Sequence, residues 1–252
     1  MKKNIKIIIS AMVLVIIFAN IAFAEPSVSL FGKSITLENN NNPGNYVFSI
    51  QLLFILTILT LAPSLLIMMT GFTRILIVLS FIRNALGLQQ TPPNHVIIGL
   101  ALFLTFFVMA PIATEINNEA IQPYIREEIT QDIAINKTMN PIRNFMFKQT
   151  RDKDLGLFLS MKGTANISNL NEIPTHVLIP AFIISELKTA FQIGFIIYIP
   201  FLVIDMVVSS TLMAMGMMML PPVIISLPFK ILLFILVDGW NLIVKSLVLG
   251  FK

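Results

Sequence analysis

Apolar and polar positions run along this chain in long blocks, and the blocks predict its elements. A basic head (Lys2, Lys3, Lys6) precedes an apolar stretch from Ile7 to Ala24, which ends in the small-residue pattern Ala22-Phe23-Ala24 before Glu25-Pro26. That pattern fits a cleavable signal peptide over residues 1–24, with an uncleaved first anchor as the alternative. Residues 25–48 form a polar leader in which "NNNNPGN", Asn39 to Asn45, reads as a loop or turn. Residues 49–113 are an N-terminal hydrophobic region. Its block from Ile50 to Met69 carries no charge and is long enough to cross a bilayer core of roughly 30 Å, although Pro63 interrupts it. A second block, Val96 to Ala113, returns the chain to the starting side, and Arg74 and Arg83 between the two read as basic flanks held on the cytoplasmic side.

Residues 114–176 break the pattern. From Thr114 to Glu172 there are seven basic and eight acidic residues, half of the chain's charges, and no long apolar run. Ile142, Phe145, Met146, Leu155, Phe158 and Leu159 recur at helical spacing, which predicts short amphipathic helices in a water-facing, extracytoplasmic segment. "RDKD", Arg151 to Asp154, reads as a solvated face. Residues 177–252 are apolar again, in runs from Val177 to Leu220 and from Val223 to Phe251. The fold class that follows is all-α, a polytopic integral membrane protein of hydrophobic helical hairpins around a charged helical segment.

Composition supports the membrane reading: 56% of the 252 residues are apolar, 12% are charged, and mean hydropathy is +0.86. With the three N-terminal lysines set aside the charges nearly balance, so nothing supports nucleic-acid binding. Cysteine is absent, which excludes disulfides and thiolate metal sites. His95 and His176 each lack a second ligand at helical spacing and read as loop or helix-end residues, and Trp240 reads as an interfacial anchor or a residue packed between helices.

Within the apolar C-terminal runs stand Glu186, Lys188, Asp205, Lys230, Asp238 and Lys245. A charge facing lipid at the bilayer centre costs about 3 kcal/mol, so these six should face protein or water. In a continuous helix Lys230, Asp238 and Lys245 would share one stripe too widely spaced for mutual contact, so their partners come from other helices or other chains. Pairing at contacts between subunits is favoured over a proton relay, because Asp238 is bracketed by lysines and no histidine lies nearby.

Three stretches carry a specific resemblance: "LTLAPSLLIMMTGFTRILIVLSFIRNALGLQQTPPN" from Leu59, "ISELKTAFQIGFIIYIPFLVIDMVV" from Ile184 and "MGMMMLPPVIISLPFKILLFILVDGWNLIV" from Met215. They resemble the FliP family of flagellar biosynthesis and type III secretion. The resemblance covers about residues 50–251 and is weakest in the leader and in parts of the charged segment. It implies a bacterial inner-membrane protein of the flagellar basal body, present in several copies with FliQ and FliR in a helical export gate. FlhA and FlhB are the implied neighbours, and unfolded flagellar subunits the cargo. A virulence secretion gate of the same family is the alternative. No catalysis and no cofactor are implied.

The methionines gain meaning from that resemblance. Met213, Met215, Met217, Met218 and Met219 fall within seven residues, at a bend marked by Gly216 and Pro221-Pro222. Flexible thioether side chains can fill an irregular core, or can form a ring that closes a pore yet yields to a passing chain; the resemblance favours this pore gasket. Two other readings compete with the gate. Soft-metal transport would use "MAMGMMM" as thioether ligands, but no Cys or nearby His supports it. An intramembrane enzyme built on Glu186 or Asp205 would need a paired acid or a nucleophile with its base, and no such set is visible.

Overall fold

The computed structural model describes residues 28–30, 33–35, 43–161, 172–217 and 219–251. The signal segment, with Ala22 and Ala24, lies outside them, as do much of the leader and Met218. The chain divides into two units, residues 1–58 and 59–252.

In the first unit, β1 (Val28–Leu30) pairs antiparallel with β2 (Lys33–Ile35), Ser29 facing Ser34. The leader therefore holds a small hairpin where the sequence reading expected only a polar segment. Helix α1 (Pro43–Met68) begins inside the Asn39–Asn45 stretch. Proline suits a first helical position, where no backbone donor is needed and its fixed φ is already helical.

The second unit is built from helices α2 (Phe72–Ala85), α3 (Asn94–Ile116), a π-helical turn (Asn117–Ile121), α4 (Gln122–Ile125), α5 (Gln131–Gln149), α6 (Asp152–Met161), α7 (Thr175–Ala214), α8 (Pro222–Leu236) and α9 (Gly239–Leu249). This is an all-α membrane protein. Two uninterrupted helical stretches, Asn94–Ile125 and Thr175–Ala214, are long and apolar enough to cross a bilayer, and α8 with α9 makes a third only if the pair, bent by 63°, counts as one span. The apolar block from Ile50, expected to be the clearest span, lies within the single 26-residue helix α1. Nor does the chain break at the composition change near residue 113, since α3 runs through the π turn into α4 without interruption. The amphipathic helices expected beyond that point are α5 and α6, which bury Phe145, Met146 and Leu155.

The core forms where α2 lies along α7. Ile75, Val78, Leu79 and Ile82 recur at the i, i+3, i+4, i+7 spacing that puts apolar side chains on one helical face, and all are at most 1% exposed. They meet Leu178, Ala181, Phe182 and Ala190 of α7. Close approach depends on Gly194, where an added Cβ would stand 2.6 Å from the Phe81 ring. Small residues at such crossings suit helices in an apolar solvent, where packing rather than expulsion of water drives association. Away from this core the surface stays apolar: Phe103, Phe106 and Phe107 on α3 and Phe195 and Ile196 on α7 are each at least 65% exposed. Such faces belong against lipid or other protein.

Candidate gate loop and buried charge pairs

Helix α7 ends in a Schellman motif. The Met217 N–H donates to Leu212 O (3.0 Å) and the Gly216 N–H to Met213 O (3.0 Å), with Gly216 at φ 75°. This arrangement satisfies the carbonyls left over at a helix end and needs a left-handed residue, a conformation open to glycine without penalty. Pro221 and Pro222 then start α8. Met215, Met217 and Met219 thus lie on a tight turn between two apolar helices, just beyond Met213 in the last turn of α7. Met213, Met215 and Met219 are 59%, 67% and 98% exposed, while Met217 is half-buried against the turn.

Below the loop, an ion pair ties the two helices together. The Lys230 ammonium donates to Asp205 Oδ2 (2.6 Å) and to Ala85 O (3.2 Å), and the Ser226 hydroxyl donates to Asp205 Oδ1. Lys230 is 2% exposed and Ser226 fully buried. Ala85 is the last residue of α2, whose final carbonyls lack intrahelical donors and favour a cation. Lys230, midway along α8, therefore ties that helix to α7 and to the C-terminal end of α2.

A second buried pair lies further along α7. Arg74 Nε donates to Glu186 Oε2 (2.9 Å) and a terminal nitrogen pairs with Glu186 Oε1. The other guanidinium donors reach Gly250 O (3.1 Å) and Gln149 Oε1 (2.9 Å), and the Phe251 ring covers the guanidinium at 4.2 Å. A planar fork with five donors suits such a hub, where a lysine would leave acceptors unfilled. Arg74 was expected to be a basic flank at the membrane surface; at 3% exposure it is instead the centre of a dry network. Its position among Ile, Leu, Val and Phe was a usable signal, because a lone arginine in an apolar helix must find a partner.

Lys188, Asp238 and Lys245 are exposed and form no ion pair among the described residues. The stripe expected of Lys230, Asp238 and Lys245 does not exist, because Asp238 adopts φ 49° and the helix bends there. Aspartate is among the few side chains that tolerate this conformation. "RDKD" also departs from the expected solvated face. Asp154 is buried and accepts from Ser185 Oγ (2.7 Å), Arg151 reaches Thr189 and Gln192, and only Asp152 and Lys153 are exposed. His95 and His176 stand exposed in the first turns of α3 and α7. Trp240 packs edge-on against Phe234, ring centroids 5.5 Å apart. Among the described residues no three His, Cys, Asp or Glu side chains converge on a point.

Residues 55–247, which contain the methionine loop and both charge pairs, match the family model described as the FliP family. The chain belongs to the FliP family. It is 58% identical over 217 residues to the flagellar biosynthetic protein FliP of Bacillus subtilis, covering 86% of this chain and 98% of that one. The FliP of Pectobacterium carotovorum is 51% identical over 230 residues, covering 91% and 89%, and that of Aquifex aeolicus 51% over 225 residues, covering 88% and 94%. Family membership makes the chain a component of the flagellar export apparatus, and the apolar helices embed it in a membrane.

Proposed function

We propose that several copies of this chain, with FliQ and FliR, form the channel of the flagellar export gate in the bacterial inner membrane. FlhA and FlhB are its neighbours, and unfolded flagellar proteins its cargo. The observation that carries this reading is the methionine turn: Met213, Met215 and Met219 stand exposed at the tip of a hairpin of apolar helices, and Met219 touches almost nothing in its own chain. Several such tips side by side make a ring of unbranched thioethers, each with three rotatable bonds. It excludes water and ions by apolar filling and gives way to a polypeptide.

The six charges of the C-terminal runs serve assembly in two ways. Glu186 and Asp205 are matched within the chain by Arg74 and Lys230, which fix how the helices cross. Lys188, Asp238 and Lys245 remain for contacts with neighbouring subunits, since each is costly against lipid. On this reading residues 1–24 are removed after Ala24 and the charged helices from residue 114 face the extracytoplasmic side. Mass analysis of the mature protein checks the cleavage; an N-terminus at Met1 contradicts it.

Solute permeability tests the gasket. Shortening Met217, Met218 and Met219 together to Ala removes apolar volume at the narrowest point, so resting cells are expected to leak small solutes while the gate still assembles. A fully assembled triple-Ala gate that stays tight to solutes rules the gasket out.

A further inference from the structure

A cavity of about 500 Å³ lies where α8 bends into α9. Leu86 and Leu88, at and just beyond the end of α2, form one wall, Phe234, Ile235 and Trp240 the other, and Asp238 stands in the lining. The bend that shapes it is held firmly. Asp238 takes the left-handed conformation at φ 49°, an added Cβ on Gly239 would stand 2.4 Å from the Phe234 ring, and Trp240 meets that ring edge-on. A left-handed residue with a side chain persists only where its surroundings over-determine it, and such residues cluster at functional sites. The exposed Asp238 carboxylate is not used to cap α9, since it makes no bond to the first N–H groups of that helix.

This lining selects an occupant by chemistry. An acyl chain or a wholly apolar side chain would cover the carboxylate and leave it unpaired, which is costly. An anionic headgroup would meet like charge. A lysine fits both parts of the site, its stem against Leu86, Leu88 and Ile235 and its ammonium on the carboxylate, with the indole ring as a further attraction.

The same chain carries such a group on another face. Ile243 and Leu247 turn the inner side of α9 toward its own chain, and Lys245 between them in sequence is rotated from them by about 200°, to the outer side. There it is exposed between Leu242 and Leu249, themselves 59% and 48% exposed. A cavity large enough for a small ligand has room for that lysine and a flanking leucine together. Lys188, the other exposed lysine of the apolar runs, stands beside Thr189 and Gln192, which Arg151 bonds, so it lies in polar surroundings. Within one chain Asp238 and Lys245 are about 10 Å apart along the helix axis, and they form no ion pair with each other.

We infer that Lys245 of one copy, flanked by Leu242 and Leu249, enters the cavity at the α8–α9 bend of the next copy and pairs with its Asp238. Each copy gives the outer face of α9 and receives at the bend, a head-to-tail contact that repeats from chain to chain. The inference rests on the reading that several copies assemble, and its test separates the two.

The chain has no cysteine of its own, so introduced thiols report single positions. Two copies with different affinity tags, one carrying Asp238→Cys and the other Lys245→Cys, are co-expressed with the remaining gate proteins, purified through both tags in mild detergent and oxidised. A covalent dimer is expected from this mixed pair and from neither variant paired with itself. Doubly purified complexes of native size without that dimer overturn the contact and leave the multi-copy reading intact, whereas failure of two tagged wild-type copies to co-purify overturns both. A dimer of Asp238→Cys with itself, or its cross-link to a different gate subunit, gives the cavity another occupant and overturns the inference. Charge reversal covers the case in which a cysteine variant assembles poorly. Asp238→Lys and Lys245→Asp are each expected to lower the yield of full-size complex severalfold, and the two together in one chain to restore most of it. A double variant no better than the single ones overturns the pairing.

Discussion

Single residues here are decided by what they would lose if left alone. Glu186 has no exposed surface and Arg74 is its one ionic partner among the described residues, so Arg74→Leu strands a carboxylate in the core. Breaking a buried pair from one side typically destabilises by about 3–5 kcal/mol, while replacing both partners with apolar side chains is often close to neutral. Thermal unfolding of the purified protein in detergent is therefore expected to show a large loss for Arg74→Leu and substantial recovery for Arg74→Leu with Glu186→Leu. A double variant no more stable than the single one would show that the network to Gln149, Gly250 and Phe251 carries the stability instead. Phe251 adds to the same site: it stacks on Phe145 at 6.1 Å and covers the guanidinium, keeping water from the pair.

At the scale of elements, glycine positions decide whether helices meet and where they stop. Gly194→Ala drives a methyl into the Phe81 ring, 2.6 Å from the added carbon, and overpacking of this kind costs about 1–3 kcal/mol. A lower melting temperature with α2 and α7 still helical by circular dichroism is the expected result. Gly216→Ala behaves differently because open space surrounds it. Its penalty is the left-handed backbone at φ 75°, about 1–2 kcal/mol for a residue with a Cβ. Expression and assembly are expected to be near normal, and export reduced because the turn that presents the methionines is strained. Undiminished export in that variant would argue that Gly216 only terminates α7.

For the whole molecule the relevant stability is that of the assembly. Asp238 and Lys245 are exposed on one chain, yet apolar side chains such as Leu236, Val237 and Leu242 surround them along the sequence and are themselves exposed. Asp238→Asn and Lys245→Gln are each expected to leave the isolated chain's melting temperature nearly unchanged while shifting native sizing toward smaller complexes. Complexes of wild-type size would remove these charges from the list of subunit contacts. The methionine turn is tested at the same scale. Replacing Met217, Met218 and Met219 by Leu keeps apolar volume but stiffens the side chains, so cells should stay tight to solutes while export falls. Filling of an ordinary core predicts the reverse order, with assembly lost first in the Ala variant and no leak.

The sequence by itself determined the solvent each segment prefers. Block hydropathy is a sum over neighbours in the chain, so the all-α membrane class, the charged amphipathic helices α5 and α6 and the methionine bend were legible without coordinates. It also showed that six charges needed partners, because the penalty for a charge in lipid belongs to the residue type. Which partners Glu186, Asp205 and Lys230 found was decided only by the tertiary structure. Arg74 and Glu186 are 112 positions apart, Lys230 and the Ala85 carbonyl 145, and no periodicity reports a contact at such separation. The bend at Asp238 was hidden for a related reason: a left-handed aspartate breaks the helical stripe, and the surrounding packing selects that backbone from among several the residue tolerates. Reach was less legible, since α3 gains its length by continuing through a π turn into polar sequence. Local chemistry sets what a segment tolerates, and contacts between distant segments choose among the tolerated states.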